Sequence, residues 1–344
     1  MMKKFLITGI SGQDGSYLTE YLLKKGHEVH GIVRRNSQEK YPNLEASINL
    51  SRKNKNKLFL HFGDLTDHAS LTNIFYKSKP QYIINLAAQS HVKVSFDNPI
   101  STNDINSLGA LRLLEIIKQN DKSIRYYQAS TSELFGGLEK DFLDENTKFN
   151  PRSPYAIAKL AAFNSTKLYR NAFGIFACNG ILFNHESPRR PISFVTRKVT
   201  NTLAKIKYGK ADKLILGNLN ATRDWGHAKD YMEVILKILD QNDPDDYVIG
   251  TGNVYTVKNL VNMASQILGF NLVWEGKGLN EKAYDKNGKV IVEVSEKYFR
   301  PLEVDYLKAN FSKAHNKLNW KPQTSFEELI KEMVEFDVFL ESNN

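Results

Sequence analysis

The chain has 344 residues, 41% hydrophobic and 25% charged, the composition of a folded protein with one large or two modest domains. No run approaches the ~20 apolar residues that span a bilayer, and the single cysteine, Cys178, excludes an internal disulfide and fits a reducing, cytoplasmic setting. The formal net charge of +9 admits nucleic acid, a membrane surface or a phosphorylated small molecule, but there are no zinc-spaced cysteines, no RNA-binding aromatic signature and no basic low-complexity tail, which argues against nucleic acid.

The start, Met1-Met2-Lys3-Lys4-Phe5-Leu6-Ile7, resembles a signal peptide until its apolar run breaks at Thr8-Gly9; it reads better as a first strand over residues 4–8. Residues 16–25 read as a helix closed by Gly26, and 28–33 as a second strand. Further strands are expected at 58–62, 82–86, 125–130 and 177–182, with helical stretches between them, including 106–119. Strands alternating with helices predict an α/β fold with a parallel, doubly wound sheet over residues 1–182. After residue 183 the rhythm changes to helices and short strands in no regular order. Residues 183–344 are expected to form a smaller, substrate-facing C-terminal α/β domain, with a segment near 228–258 returning to the sheet. The Gly/Lys/Asn-rich stretch 276–290 reads as a surface loop, and 326–340 as an amphipathic helix.

Gly9, Gly12 and Gly15 lie between the first strand and first helix, where glycines let the backbone turn tightly and approach a pyrophosphate at the helix N-terminus. The second strand ends in Arg34-Arg35-Asn36-Ser37 with no acid until Glu39. Arginine there accommodates a 2′-phosphate, so NADP is expected over NAD. Asp64 follows the third strand and suits the adenine amino group; Ala87 follows the fourth, near the nicotinamide ribose. Arginines cluster at Arg189-Arg190 with Arg197, then Arg223 and Arg300, and planar donors grouped this way suit phosphate.

Tyr155 and Lys159 are four apart and share one face of a helix. A nearby ammonium and a positive cofactor ring favour the phenolate, so the tyrosine is read as a base near neutral pH. Upstream, Thr131, Ser132 and Glu133 add a hydroxyl and a second acid/base. Alcohol oxidation needs one proton-transfer group; the extra carboxylate suggests a second task, such as taking a proton from carbon or expelling water. His185 and Glu186 are adjacent and lack a third ligand, so no metal is expected and a hydrogen-bonding role is read instead.

On the strings ITGISGQDGSYL, HGIVRRNS, HFGDLTD, YYQASTSELFG, PRSPYAIAKL, ACNGILFNHESPRR, FVTRK, RDWGHAKDY, YFRP and LNWKP, the chain resembles the extended short-chain dehydrogenase/reductases and, within them, the GDP-mannose 4,6-dehydratase family. The resemblance covers nearly the whole chain and implies a Rossmann domain, tightly held NADP, a GDP-sugar and no metal. It implies internal redox. Tyr155, with Lys159 lowering its pKa, takes the C4 hydroxyl proton as the hydride leaves C4; Thr131 bonds that hydroxyl. Glu133 removes the C5 proton and protonates the departing C6 hydroxyl, and the hydride returns to C6. It extends the cofactor set to Gln13, Asp14, Leu65, Leu86, Ser90, His185 and Arg190. Around the GDP-sugar it places Gln89, Ser90, Asn184, Arg190, Val195, Lys198, Leu216, Gly217, Asn218, Arg223, Arg300 and Glu303. Arg189 and Arg197 read equally well as surface charges. A homo-oligomer, dimer or tetramer, is implied, with the double-arginine loop reaching a neighbour's cofactor. Ala87-Ala88-Gln89-Ser90 departs from the family's common Gly-Ala-Met-Ser, and Phe135 stands where tyrosine is typical. With Gln89 expected beside the sugar, GDP-manno-heptose stands as an alternative to GDP-mannose. A nucleotide-sugar epimerase or reductase needs no acid like Glu133, and a non-catalytic NADP sensor typically loses the tyrosine or lysine.

Overall fold

The computed structural model describes residues 2–35, 40–53, 57–138, 142–299, 302 and 304–343. Its first half runs β1 (Lys4–Thr8), α1 (Gln13–Lys24), β2 (Glu28–Val33), α2 (Glu45–Lys53), β3 (Leu58–Phe62), α3 (His68–Ser78), β4 (Tyr82–Asn85), α4 (Val92–Asp97), α5 (Pro99–Asn103), a π-helical turn (Asp104–Leu108), α6 (Gly109–Asn120), β5 (Arg125–Thr131), a 3-10 turn (Ser132–Phe135), α7 (Pro154–Phe173) and β6 (Ala177–Leu182). The second half runs β7 (Asn184–Glu186), α8 (Val195–Lys207), β8 (Leu214–Leu216), β9 (Thr222–Arg223), β10 (Trp225–His227), α9 (Ala228–Leu239), β11 (Tyr247–Ile249), β12 (Tyr255–Thr256) and α10 (Val257–Leu268). It ends with β13 (Val273–Glu275), β14 (Lys282–Tyr284), β15 (Val290–Val294), β16 (Tyr306–Leu307), α11 (Ser312–Leu318) and α12 (Phe326–Ser342).

Seven strands form one sheet in the order β11-β6-β5-β4-β1-β2-β3, parallel throughout. The period of two along β1 sends Phe5 and Ile7 to one face and Leu6 to the other. The first face is covered by α1 and α9 through Leu18, Leu22, Ile235 and Leu239; the second by α3 and α6 through Leu71, Ile74, Leu113 and Ile117. Both faces are therefore dry, as a parallel sheet requires. The chain leaves β1 toward β2 and β3, then crosses back to β4, so the strand order reverses between β1 and β4, where ligand crevices open in such sheets. A buried polar ladder fixes this point: Thr8 donates to Asn85 (2.6 Å), Asn85 donates to Gln128 (2.9 Å), and the Ala87 N–H donates to Thr8 (3.1 Å).

A second core gathers α8, α10 and α12 over β8 and β15, with Val199, Leu203, Leu260, Val261, Ile330 and Met333 buried. The segment after β10 rejoins the large sheet: α9 packs on α1, and β11 pairs with β6. Residues 276–290 are not simply a loop. Positive φ at Gly276, Gly278 and Gly288 makes turns that bring β14 between β13 and β15, burying Ala283. The helix expected at 106–119 begins as a π turn and continues as α6.

Candidate active site

The end of β5 delivers Thr131, whose side chain accepts the Glu133 N–H (3.2 Å) and starts the 3-10 turn carrying Ser132 and Glu133. Ser153 caps α7 by accepting the Ala156 N–H (3.1 Å), Pro154 stands in the first turn, and Tyr155 follows with Lys159 one turn on. Thr131, Ser132, Glu133, Tyr155 and Lys159 line one cavity of about 720 Å³. The Lys159 ammonium is buried and donates to the Ala129 carbonyl (2.9 Å). Burial draws it down to about 8. Burial also pushes the Tyr155 phenol up to about 12, against a hydrogen bond with Thr131 and helped by the Glu133 charge. The phenolate expected from the sequence rests on a positive cofactor ring as well as on Lys159. Lys159 is anchored to a carbonyl, 6.0 Å from the Tyr155 ring centroid, and the protein's own groups leave the phenol protonated.

The glycine cradle is closed to side chains. Gly9 has φ +69°, and a Cβ there would lie 2.7 Å from the Ala87 nitrogen; one at Gly15 would lie 2.4 Å from the Gly9 carbonyl oxygen. Gly12 caps α1 without a side chain, leaving the first-turn N–H groups for an anion. This geometry fits a dinucleotide pyrophosphate. Arg34, Arg35 and Asp64 line a second cavity, of about 750 Å³, with Lys40 and Tyr41. Asn36 and Ser37 lie outside the described residues. Leu86 and Ser90 line the central cavity, and the Ala87 backbone packs on Gly9. The Leu65 side chain is buried under Gly109, so only its backbone is available to a ligand.

Asp14 and His185 form a device the sequence did not show. His185 Nδ1 lies 2.7 Å from the Phe183 carbonyl and Nε2 lies 2.9 Å from the Asp14 carboxylate. Both neighbours are acceptors, a setting that favours the doubly protonated ring. Burial opposes the charges of both groups, but their attraction wins: His185 is raised, and Asp14 is held at about 2. Gln13 adds two bonds to the same strand, donating to the His185 carbonyl (3.1 Å) and accepting from Ser187 (2.8 Å). The N-terminus of α1 is thereby fastened to β7. Glu186 accepts from Thr196 (2.5 Å) and pairs with Arg190 (3.2 Å). Among the described residues no three acidic, histidine or cysteine side chains form a metal cluster.

The opposite wall is built by β7, the first turn of α8, β8 and β9. Asn184, Arg190, Val195, Lys198, Leu216, Gly217, Asn218 and Arg223 all line the central cavity. The buried Oδ1 of Asn184 has no hydrogen-bond partner among the described residues. The Arg190 guanidinium stacks 3.7 Å from the Phe194 ring centroid. The Lys198 ammonium sits 3.4 Å from the centre of the Tyr298 ring, and burial, with the Lys93 charge, lowers it to about 8. A Cβ on Gly217 would lie 2.6 Å from the Tyr298 carbonyl oxygen, so only glycine lets this segment close. Arg300 and Glu303 lie outside the described residues.

Three expectations change here. Gln89 does not line the cavity: its amide accepts the His91 N–H (2.6 Å) and donates to the His91 carbonyl (3.2 Å), while Asn106 clamps its backbone. Arg197 is no surface charge; it is buried against Asp337 (2.5 Å) and ties α8 to α12. Arg189 is held by Glu20 (2.5 Å) and Ser16 (3.0 Å) over the Tyr17 ring. Lys93, Phe194 and Tyr298 are cavity residues the sequence reading missed. Lys93 and Tyr298 have their partners a hundred or more positions away in the chain, at Lys297 and Lys198.

A family model described as GDP-mannose 4,6 dehydratase matches residues 6–333. The GDP-mannose 4,6 dehydratase of Cricetulus griseus is 50% identical over 352 residues, covering 99% of this chain and 93% of its own length. That of Homo sapiens is 50% identical over 349 residues, covering 98% and 92%. Among solved structures, a UDP-glucose 4-epimerase from Thermotoga maritima superposes with a TM-score of 0.80 at 24% identity over 99% of each chain, which speaks for the fold alone.

Proposed function

The chain belongs to the GDP-mannose 4,6-dehydratase family, and from that premise we propose that it converts GDP-mannose to its 4-keto-6-deoxy derivative by removing water within one active site. The observation that carries this reading is the carboxylate of Glu133 on the same cavity wall as Tyr155 and Lys159. A simple 4-keto reductase or epimerase has no use for a second acid/base. GDP-manno-heptose is not favoured, since the relatives at half identity are mannose enzymes by name.

The steps follow from the wall. Tyr155 takes the C4 hydroxyl proton, and Thr131 hydrogen-bonds the same oxygen. NADP, when bound, would supply a positive charge that favours the Tyr155 phenolate and a carrier for the hydride that leaves C4 and arrives at C6. With C4 a ketone, the C5 proton is acidic; Glu133 removes it and protonates the departing C6 hydroxyl, and once hydride has returned to C6 the proton held on Tyr155 goes back to C5, which restores the phenolate. Ser132 lines the wall between them. Lys159, cationic below about 8, holds the end of β5 through the Ala129 carbonyl and adds positive charge to the proton-transfer site. Lys198 and Arg223 take the diphosphate, Arg190 serves the ring region between cofactor and sugar, and Asn184 accepts from the ligand.

Arg34 and Arg35 beside the far cavity support NADP; charge reversal at Arg35 should weaken NADP much more than NAD, measured by titration, and equal weakening of both removes its 2′-phosphate role. The reading includes a homo-oligomer, as the family resemblance implies, and a cytoplasmic setting, which a lone, buried Cys178 fits. It also divides the chain into a cofactor lobe (1–182 with the returning segment) and a nucleotide lobe. The test is incubation with GDP-mannose and with GDP-manno-heptose, without added reductant. A product lighter by one water from the mannose substrate is expected; an unchanged mass from both substrates removes the reading.

A further inference from the structure

Two ammonium groups reach the mouth of the central cavity from opposite walls and end on consecutive residues of one turn. Lys93, on α4 of the cofactor side, donates to the Lys297 carbonyl (2.8 Å). Lys198, on α8 of the nucleotide side, lies 3.4 Å from the centre of the Tyr298 ring. Residues 296–298 form a 3-10 turn, fixed beneath by the close approach of Tyr298 to Gly217. Neither lysine meets a carboxylate among the described residues; a carbonyl and a ring face orient an ammonium without neutralising it. Each ammonium has three donors, and Lys93 spends one of them on Lys297, so donors remain to both groups. The Lys93 charge acts on Lys198, the direction expected for two like charges in a partly desolvated pocket. Such a pairing is unfavourable until an anion stands between the two charges.

We infer that Lys93 is a substrate-binding residue that faces Lys198 across the cavity mouth and clamps the diphosphate of the nucleotide sugar between them. This rests on the nucleotide-sugar reading above and adds a residue from the cofactor wall to a site otherwise built from the second half of the chain. A diphosphate carries several acceptor oxygens and more than one negative charge, so it satisfies both ammonium groups, whereas a single carboxylate satisfies one. The contact with Lys297 also gives Lys93 a second effect: the anion and the 296–298 turn share the same ammonium, so the turn is steadied when the site fills.

The full-length protein, titrated calorimetrically with GDP, guanosine and NADP, tests this. In Lys93→Gln, GDP should bind about tenfold or more weakly, with guanosine and NADP as in the parent. Lys93→Arg, which keeps the charge, should recover most of the loss. Unchanged GDP affinity in Lys93→Gln overturns the assignment. A parallel fall in guanosine affinity also overturns it, since the lysine would then merely hold the turn, and a fall confined to NADP would move it to the cofactor's phosphates. A parent protein that does not bind GDP at all strikes the family-based reading itself, independently of Lys93.

Discussion

Lys159 and Lys198 are both drawn to about 8 by burial, yet they sit in walls of opposite character. Lys159 is anchored to the Ala129 carbonyl, on a strand in the interior of a seven-stranded sheet. Lys198 rests on the ring of Tyr298, 41% exposed on a short turn, in a wall whose strands are only two or three residues long. The first wall holds its groups ready before any ligand arrives, as proton transfer at fixed atoms demands. The second carries cations that await a counter-charge. On the proposed function, chemistry is built on the wall that rests on the large sheet, and recognition on the wall whose electrostatics a ligand would complete.

The comparison can be broken most sharply at Glu133. Glu133→Gln keeps size and hydrogen bonding but cannot accept the C5 proton, so dehydration should fall by roughly 10²–10⁴-fold. Near-parental product formation, followed by mass, would move elimination to another group. Reduced-nicotinamide absorbance on adding substrate should survive in this variant and vanish in Tyr155→Phe.

The base of the second wall is tested at Asp337, fully buried and accepting from Arg197, Thr200 (2.6 Å) and Asn201 (3.3 Å). Asp337→Ala strands a buried guanidinium and should cost about 3–5 kcal/mol in denaturant unfolding. If the two walls are as distinct as they look, GDP affinity falls before NADP retention does; simultaneous loss of both would merge them.

Smaller effects fall on the cavity cations. Lys198→Ala and Arg223→Ala should each weaken GDP by about 1.5–3 kcal/mol, seen mainly in KM. Unchanged GDP affinity in either variant takes that residue out of the site. The smallest effect is in pH. Lys198 is cationic below about 8 and neutral above it, so GDP affinity should decline as pH rises through that value. Lys198→Arg, which does not titrate there, should flatten the profile; the same slope in both would assign it elsewhere.

What the sequence made legible was local. Three glycines between a strand and a helix, and Tyr155 with Lys159 one turn later, can be read because spacing alone sets their geometry. Six of the seven strands of the large sheet were legible from their short apolar runs, whereas β11, which joins from the second half, was not. What stayed hidden depends on contacts between distant residues. Gln13 and His185 meet across 172 positions, and Lys93 and Lys297 across 204. No periodicity encodes such encounters. Arg197 could be read either as a phosphate donor or as a surface charge because its partner lies on the last helix. Gln89 was misplaced because its amide folds back on its own loop. The surroundings of the tyrosine also needed the fold: Lys159 donates to the Ala129 carbonyl, and burial raises the phenol.

The last strand to join the large sheet has a consequence for how the chain is made. β11 completes the β6 edge, but it is encoded only after the whole of β7 through α9. At the ~5–20 residues per second of ribosomal synthesis, the finished β6 edge waits roughly 3–13 seconds for residues 247–249. During that interval a buried, apolar strand presents unpaired backbone groups, a template for a neighbouring nascent chain. A pause in translation between codons 183 and 249 therefore lengthens the period of greatest aggregation hazard, whereas slow codons after 249 leave the sheet already sealed.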